Sequence, residues 1–381
     1  QLMNGKKGGI VAIDPRNGEI LSLVSAPSYN PNLLIGRNRS KNYMDLYRDS
    51  IYKPLIDKSL LNMHAPGSPF KILVGLSALQ EKAITENTSI FCNNYYQYGK
   101  EKRTMQCHCG GGYRNLSNAL SLSCNSYFAN AYRKTIDTKS PTKETFNNWS
   151  NQMKSFGLGE YLNNDLSVGK KGIIPDFEFY NKWYPDFKWG ATTTLSNSIG
   201  QGEVLVTPIQ LANMTAAIAN KGYYYTPHII KKIEGSEIDS KFKTKNYTLI
   251  DSIHFEPIIE GLSKVYKSGT AKFLQVPDIE ICGKTGTAEN FTKIDGKKTQ
   301  LTDHSIFVAF APKDNPTIAI SVLVENGYYG SRWAGRIASL MIEKYIKGEV
   351  TLKKMEQLVM NKSLDEEYQN PFLGKPFKIN Q

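Results

Sequence analysis

The chain has 381 residues, of which 40% are apolar and 22% charged, with a formal net charge of +12; this is the composition of a folded protein, not of a disordered or fibrous one. Its Lys and Arg are scattered, with short clusters such as Lys6-Lys7 and Lys353-Lys354, and no zinc-finger, RNA-binding or basic-zipper pattern accompanies them, which argues against nucleic acid as a partner. No run approaches the roughly 18 apolar residues of a membrane helix, and Gln1 to Gly5 lacks the apolar core of a signal peptide. The chain reads as a trimmed catalytic domain, and a basic balance suits work beside anionic lipid and cell-wall polymer.

In chain order, Gly8 to Ser25 reads as a hairpin turning at Asp14-Pro15-Arg16-Asn17-Gly18. A loop over Pro27 to Asn32 and a polar connection lead to a turn at Ala65-Pro66-Gly67. A helix follows from about Ser68 to Lys82, with Ile72, Leu73, Leu76 and Leu79 on its apolar face. Short helices and loops occupy the next hundred residues, including a cysteine-rich stretch from Cys92 to Cys109, and another helix is expected over Leu116 to Lys134. Thr207 caps a helix over Pro208 to Lys221, with Pro in its first turn. Pro257 to Tyr266 is helical. Late strands are expected at Ile279 to Cys282, Ile306 to Phe310 and Ile318 to Val324, and a helix over Ala334 to Tyr345 closes the core. An early hairpin, a helical middle and late antiparallel strands make the class α+β. The expected organisation is one domain over 1–381, with a helical lobe roughly over 77–190 and a polar tail from about 350.

Three short motifs carry chemistry. Ser-x-x-Lys occurs at Ser50, Ser68, Ser140, Ser167 and Ser240, so its spacing alone selects nothing. Only Ser68-Pro69-Phe70-Lys71 follows a Pro-Gly turn and opens a long apolar-faced helix. There the hydroxyl and the amine share a face one turn apart, and the helix N-terminus favours developing negative charge. A desolvated amine can then serve as the base that a serine nucleophile needs. Taken alone, the same residues also fit a capping Ser and a solvated Lys.

Ser-x-Asn occurs at Ser28, Ser40 and Ser123; Ser123-Cys124-Asn125 alone lies where it can pack beside the first helix, with a hydroxyl to relay a proton and an amide to hold a substrate. Lys-Ser/Thr-Gly occurs at Lys267 and at Lys284. The first reads as a helix end. The second, Lys284-Thr285-Gly286 continuing to Thr287, follows a strand. An edge strand there offers free backbone groups to an extended peptide, Lys284 and Thr285 suit a carboxylate, and Gly286 permits close approach. In this order the three motifs form the set of β-lactamases and penicillin-binding proteins.

The sequence resembles the class B penicillin-binding proteins, specifically their elongation type, penicillin-binding protein 2. The resemblance extends to Ile13-Asp14-Pro15, Ala26-Pro27-Ser28-Tyr29-Asn30-Pro31-Asn32, Ile199-Gly200-Gln201-Gly202-Glu203, Val206-Thr207-Pro208-Ile209-Gln210 and Val324-Glu325-Asn326-Gly327, and fades after about residue 350. It implies an antiparallel sheet flanked by helices plus a helical lobe, with the active site between them. It further implies a peptidoglycan D,D-transpeptidase. Ser68 would attack the D-Ala-D-Ala carbonyl of a stem peptide, release D-Ala and pass the acyl group to a neighbouring amine. Ser68 and Thr287 N–H groups would form the oxyanion hole, β-lactams would acylate the same serine, and no catalytic cofactor is required. A membrane glycosyltransferase and elongation-complex proteins would bind through regions outside this chain, which would sit at the periplasmic face of the inner membrane behind an N-terminal anchor. Pro69 stands where the family usually has Thr. The rivals are a β-lactamase or D,D-carboxypeptidase on the same fold, and a non-catalytic β-lactam sensor.

Cys92, Cys107, Cys109 and Cys124, with His108 among them, offer donors for a tetrahedral zinc ion, four of these five at most; two disulfides, or free buried thiols, are the alternatives. Some elongation-type relatives place a metal in this segment. Because Cys124 separates Ser123 from Asn125, either cross-link would brace the second motif. Cys282 reads as a packed strand residue.

Overall fold

The computed structural model describes residues 1–136, 142–187, 189–294 and 296–371. The opening hairpin is β1 (Gly8–Ile13) and β2 (Ile20–Ala26). Two small hairpin-like pairs follow in the cysteine-rich stretch, β3 (Ile90–Cys92) with β6 (Gly112–Arg114) and β4 (Tyr95–Tyr98) with β5 (Arg103–Gln106). A further pair joins β7 (Tyr223–Tyr225) to β8 (Lys245–Tyr247). The late strands are β9 (Cys282–Ile294), β10 (Lys297–Ala311) and β11 (Ile318–Val324). The main sheet has five strands in the order β2-β1-β11-β10-β9, antiparallel throughout. This puts β9, which holds Lys284 to Thr287, at an open edge.

The central strands are apolar on both faces because helices cover both. Val11, Ile13, Ile306, Val308 and Leu323 belong to a core shared with α7 (Pro208–Ala219). Ile10, Ala12, Phe307, Ile320 and Val322 face the opposite core, which includes Ile337 and Leu340 of α9 (Ala334–Lys347). Thr207 caps α7 in a reciprocal box with Gln210.

Beside the sheet lie α2 (Lys71–Gln80), α3 (Leu116–Ser121), α4 (Asn125–Thr135), α5 (Lys143–Lys154), α6 (Phe177–Trp183) and α8 (Phe255–Lys267). From Lys71 to Leu79, α2 is buried on every side. That places it at the centre of a helical cluster instead of on a surface. The polar connection before Ala65 contains a largely exposed helix, α1 (Arg39–Arg48). The stretch beyond residue 350, read as a polar tail, carries α10 (Lys353–Asn361) and α11 (Asp365–Gln369). The buried Lys6 ammonium ties down α10, donating to the Asn4, Val359 and Lys362 carbonyls at 2.7–2.8 Å, and Tyr368 of α11 donates to Glu325 O at 3.0 Å. Lys6 is far from this stretch in sequence, so hydropathy along the tail gives no sign of it. Among the described residues no helix is long and apolar enough to cross a membrane.

Candidate active site

The turn before α2 is built for close approach to β9. Gly67 takes φ +62°, and a Cβ there would lie 2.6 Å from the Thr287 carbonyl oxygen, so glycine alone lets the two backbones meet. Ser68, Pro69 and Phe70 form a 3₁₀ turn that runs into α2. A Cβ at Gly286 would sit 2.7 Å from Pro69 Cδ; the proline ring is seated against the strand. Its missing N–H costs nothing in a first turn.

Lys71, the first residue of α2, is fully buried and donates to Ser123 O at 2.8 Å, Ser123 Oγ at 3.1 Å and Asn125 Oδ1 at 2.5 Å. Ser123 Oγ in turn lies 2.9 Å from Ser68 Oγ. The expected pairing of amine and nucleophile therefore runs through the Ser123 hydroxyl. Burial pulls the Lys71 pKa down to about 8, against the opposing pull of the Cys107, Cys124 and Cys109 thiols. Such an amine is neutral often enough to take a proton near neutral pH.

Ser123 reaches this position because the single helix expected from Leu116 to Lys134 is broken between α3 and α4. Ser123 takes φ +56°, a conformation that costs a non-glycine residue on the order of 1–3 kcal/mol. The flanking amides hold it, Ser123 N donating to Leu120 O and Cys124 N to Ala119 O. The Asn125 amide was expected to hold substrate; its Nδ2 instead donates to Gln106 O at 2.6 Å while its oxygen binds Lys71. Asn125 thus holds the Lys71 amine in place.

On β9, side chains alternate, so Thr285, Thr287 and Glu289 face the Ser68 cavity together. Thr287 O accepts from Gln201 Nε2 at 3.1 Å. In an antiparallel strand a residue's N–H points the same way as its carbonyl, so the Thr287 N–H also faces off the sheet, toward Ser68. Thr285 Oγ1 and Thr270 Oγ1 are 2.8 Å apart. Lys284 is buried beside them, its Nζ donating to Thr285 O at 3.3 Å. Burial, then the nearby Lys71, pushes its pKa well below the usual lysine range. The two threonine hydroxyls therefore reach the cavity, with the lysine behind them.

Several cavity residues escaped the motif reading: Thr270, Gln201, Ser196, Tyr98, Tyr329 and Ser331, which help to line a space of about 740 Å³. Thr270 directly follows Lys267-Ser268-Gly269, the copy set aside as a helix end. The segment is indeed the end of α8, but it turns back so that Thr270 N donates to Ser121 O at 3.1 Å. The Gly200-Gln201 segment was legible only through family resemblance.

The four clustered cysteines converge. Cys92, Cys107, Cys109 and Cys124 are buried with their sulfurs all within 4.8 Å of one another. The Cys107–Cys124 and Cys92–Cys109 Sγ separations are 3.7 and 3.5 Å. Disulfides need about 2.05 Å, whereas a tetrahedral zinc with bonds of about 2.3 Å spaces its thiolates by roughly 3.8 Å. The hydrogen bond between Cys107 and Cys124 pulls the Cys107 thiol down and pushes its partner Cys124 up, so one shared thiolate is favoured within the cluster. The donor set thus fits zinc. His108 corrects the reading: flanked by two inward cysteines, it points outward and lines the Ser68 cavity, away from the sulfurs. The cluster touches the second motif directly, since Asn125 N donates to Cys107 Sγ at 3.1 Å. Cys282 is buried apart from it, with its pKa raised by burial.

A serine hydroxyl linked through a second serine to a buried amine, beside an open strand edge, is an arrangement that can support acyl transfer from a peptide. Comparison with known proteins points the same way. Residues 8–343 match the penicillin binding protein transpeptidase domain family. The chain is 34% identical over 346 residues to the peptidoglycan D,D-transpeptidase MrdA of Acinetobacter baumannii, covering 87% of this chain and 49% of that protein. It superimposes on Pseudomonas aeruginosa PBP2 in complex with WCK 5153 with a TM-score of 0.78 and 31% identity, over 92% of this chain and 74% of that one. The Helicobacter pylori PBP2 in complex with MreC gives 0.74 and 29%, over 91% and 61%. The chain spans about half the length of the curated relatives it matches.

Proposed function

Because the chain belongs to the penicillin-binding protein transpeptidase family, we propose that it is a peptidoglycan D,D-transpeptidase of the elongation type and a target of β-lactams. The observation that carries this reading is the continuous path from Ser68 Oγ through Ser123 Oγ to Lys71 Nζ. As Ser68 attacks the carbonyl of the penultimate D-Ala, its proton passes to Ser123 and the Ser123 proton to neutral Lys71. The Ser68 and Thr287 N–H groups receive the oxyanion. Collapse breaks the peptide bond, and Ser123 returns a proton to the departing D-Ala amine, replenished from Lys71. Thr270 and Thr285 hydroxyls hold the D-Ala carboxylate, with the Lys284 amine behind. A second stem then brings an amine, whose attack on the Ser68 ester forms the cross-link.

Zinc held by Cys92, Cys107, Cys109 and Cys124 would supply structural rigidity and no step of the chemistry. We further place the protein at the periplasmic face of the inner membrane. There it would assemble with a glycosyltransferase and elongation proteins such as the MreC bound to its Helicobacter neighbour.

The fate of the acyl-enzyme tests this assignment. After a brief pulse of penicillin, the penicilloyl adduct should persist for many minutes, and a D-Ala-D-Ala stem peptide plus an amine acceptor should yield free D-Ala and a cross-linked product. Penicillin hydrolysed in seconds would make the protein a β-lactamase. D-Ala release with no product from any acceptor would make it a carboxypeptidase.

A further inference from the structure

Gln201 reaches the edge of β9 from a backbone pinned at three points. Gly200 N donates to Asn197 O at 3.1 Å and Gln201 N to Ser196 O at 3.0 Å, while Gly200 O accepts from Gly67 N at 2.8 Å. Gly200 takes φ +66°, and a Cβ there would collide with the Gly67 carbonyl oxygen, so only glycine lets this segment meet the Ser68 turn. What remains free to move is the half-buried Gln201 side chain. It lines the Ser68 cavity, and its Nε2 donates to Thr287 O at 3.1 Å.

On the transpeptidase reading, Thr287 O has a second claimant. With its terminal carboxylate at Thr270 and Thr285 and its scissile carbonyl at the Thr287 N–H, the donor peptide runs antiparallel to β9. In an antiparallel ladder, two residues facing each other as a hydrogen-bonded pair exchange both bonds. The penultimate D-Ala, whose carbonyl accepts from Thr287 N–H, therefore directs its own N–H at Thr287 O. In this structure the Gln201 carboxamide already holds that place. Gly67 closes in on the same oxygen from another side, since a Cβ at residue 67 would lie 2.6 Å from it.

We propose that Gln201 is a specificity-determining residue that competes with the donor's own N–H for Thr287 O, so that the donor displaces the carboxamide as it pairs with β9. Binding then exchanges one neutral hydrogen bond for another and gains little from the exchange. A donor without that N–H leaves Gln201 in place, and Thr287 O stays satisfied instead of being left bare against the ligand. Gln201 thus caps the open strand edge between turnovers and narrows the advantage that an amide N–H gives a donor at this position.

The test compares a synthetic pentapeptide ending in D-Ala-D-Ala with its analogue carrying D-lactyl in place of the penultimate D-alanyl, so that an ester oxygen replaces the N–H. Release of the terminal D-Ala gives kcat/KM for each donor. Gln201→Met keeps the approximate shape of the side chain and removes its donor. The amide-to-ester ratio of kcat/KM should rise about fivefold in this variant, the worth of one ordinary hydrogen bond. Gln201→Glu, whose carboxylate cannot donate, should raise the ratio alike, which guards against a defect peculiar to Met. Benzylpenicillin carries an acylamino N–H beside its reactive carbonyl, and it should acylate Ser68 of Gln201→Met about fivefold more efficiently than the unaltered chain. A ratio that stays level or falls in both variants overturns the inference and leaves the transpeptidase reading intact, because a side chain that merely props the strand affects amide and ester donors equally. If neither donor releases D-Ala, the benzylpenicillin comparison decides, and a rate in Gln201→Met at or below that of the unaltered chain overturns the inference. Failure of benzylpenicillin to label Ser68 in any of the proteins overturns the transpeptidase reading with it.

Discussion

Lys71→Met acylates with benzylpenicillin about 10²–10⁴-fold more slowly than the unaltered chain, because the substitution removes the acceptor at the end of the proton path. Met preserves the volume of a side chain at the buried start of α2, so the melting temperature separates lost chemistry from lost fold. The pH dependence supplies the sign. Burial disfavours the ammonium and lowers the Lys71 pKa to about 8, so about a tenth of the protein carries the neutral base at pH 7. The acylation rate should therefore rise with pH and level off above about 8, and this limb should vanish in Lys71→Met. Ser123→Ala should share most of the loss, since Ser123 Oγ stands between the amine and Ser68 Oγ. A variant without Lys71 that labels within tenfold of the parent would place the base elsewhere.

Loss of one cluster cysteine should be nearly as damaging, by a different route. In Cys124→Ser, zinc content should drop from about one per chain toward zero and the protein should lose about 4 kcal/mol or more, metal loss being among the few changes of that size. For a chain of this length that is a fall of roughly 10 °C in melting temperature. Cys107→Ser should behave alike, with an added effect on Asn125, whose amide N–H donates to that sulfur. Acylation should fall with the loosening of Ser123 and Asn125, as it does when supports of a site are removed. His108→Ala should retain the metal, because His108 lies outside the sulfur cluster. Metal analysis with thiol counting decides the chemistry: four thiols released on chelation fit zinc, whereas no metal and no titratable thiol among the four would mean two disulfides.

How far the sequence reaches can be read residue by residue. The strands of the central sheet were legible because Ile306 to Phe310 and Ile318 to Val324 are buried on both faces and so apolar but for the buried Ser321. Helix α7 announced itself by an N-cap threonine and a first-turn proline. Ser68 could be told from its four rivals by the turn before it and the buried helix after it. In the structure Ser50, Ser167 and Ser240 are exposed and absent from the cavity wall, while Ser140 lies outside the described residues. What was not legible is what depends on distant contacts. The break at Ser123 is held by α3 carbonyls that accept from Ser123 N and Cys124 N, and by the cysteine cluster, so local helix propensity runs straight through it. Thr270 joins the cavity because the chain folds back after α8. The orientation of His108 follows from its neighbours' convergence on one point, which spacing alone does not encode. Lys284 is hidden by the sheet edge it belongs to, and motif reading assigns it a more exposed role than it has.

The central claim is that Ser68 is the nucleophile, and the most direct measurement is mass spectrometry of the intact protein and its proteolytic peptides after reaction with benzylpenicillin. A single adduct should appear, localised to Ser68 in the peptide that contains Gly67-Ser68-Pro69-Phe70-Lys71, and it should be lost in Ser68→Ala. An adduct on another serine, or an unmodified Ser68 in protein that has bound the drug covalently, would contradict it.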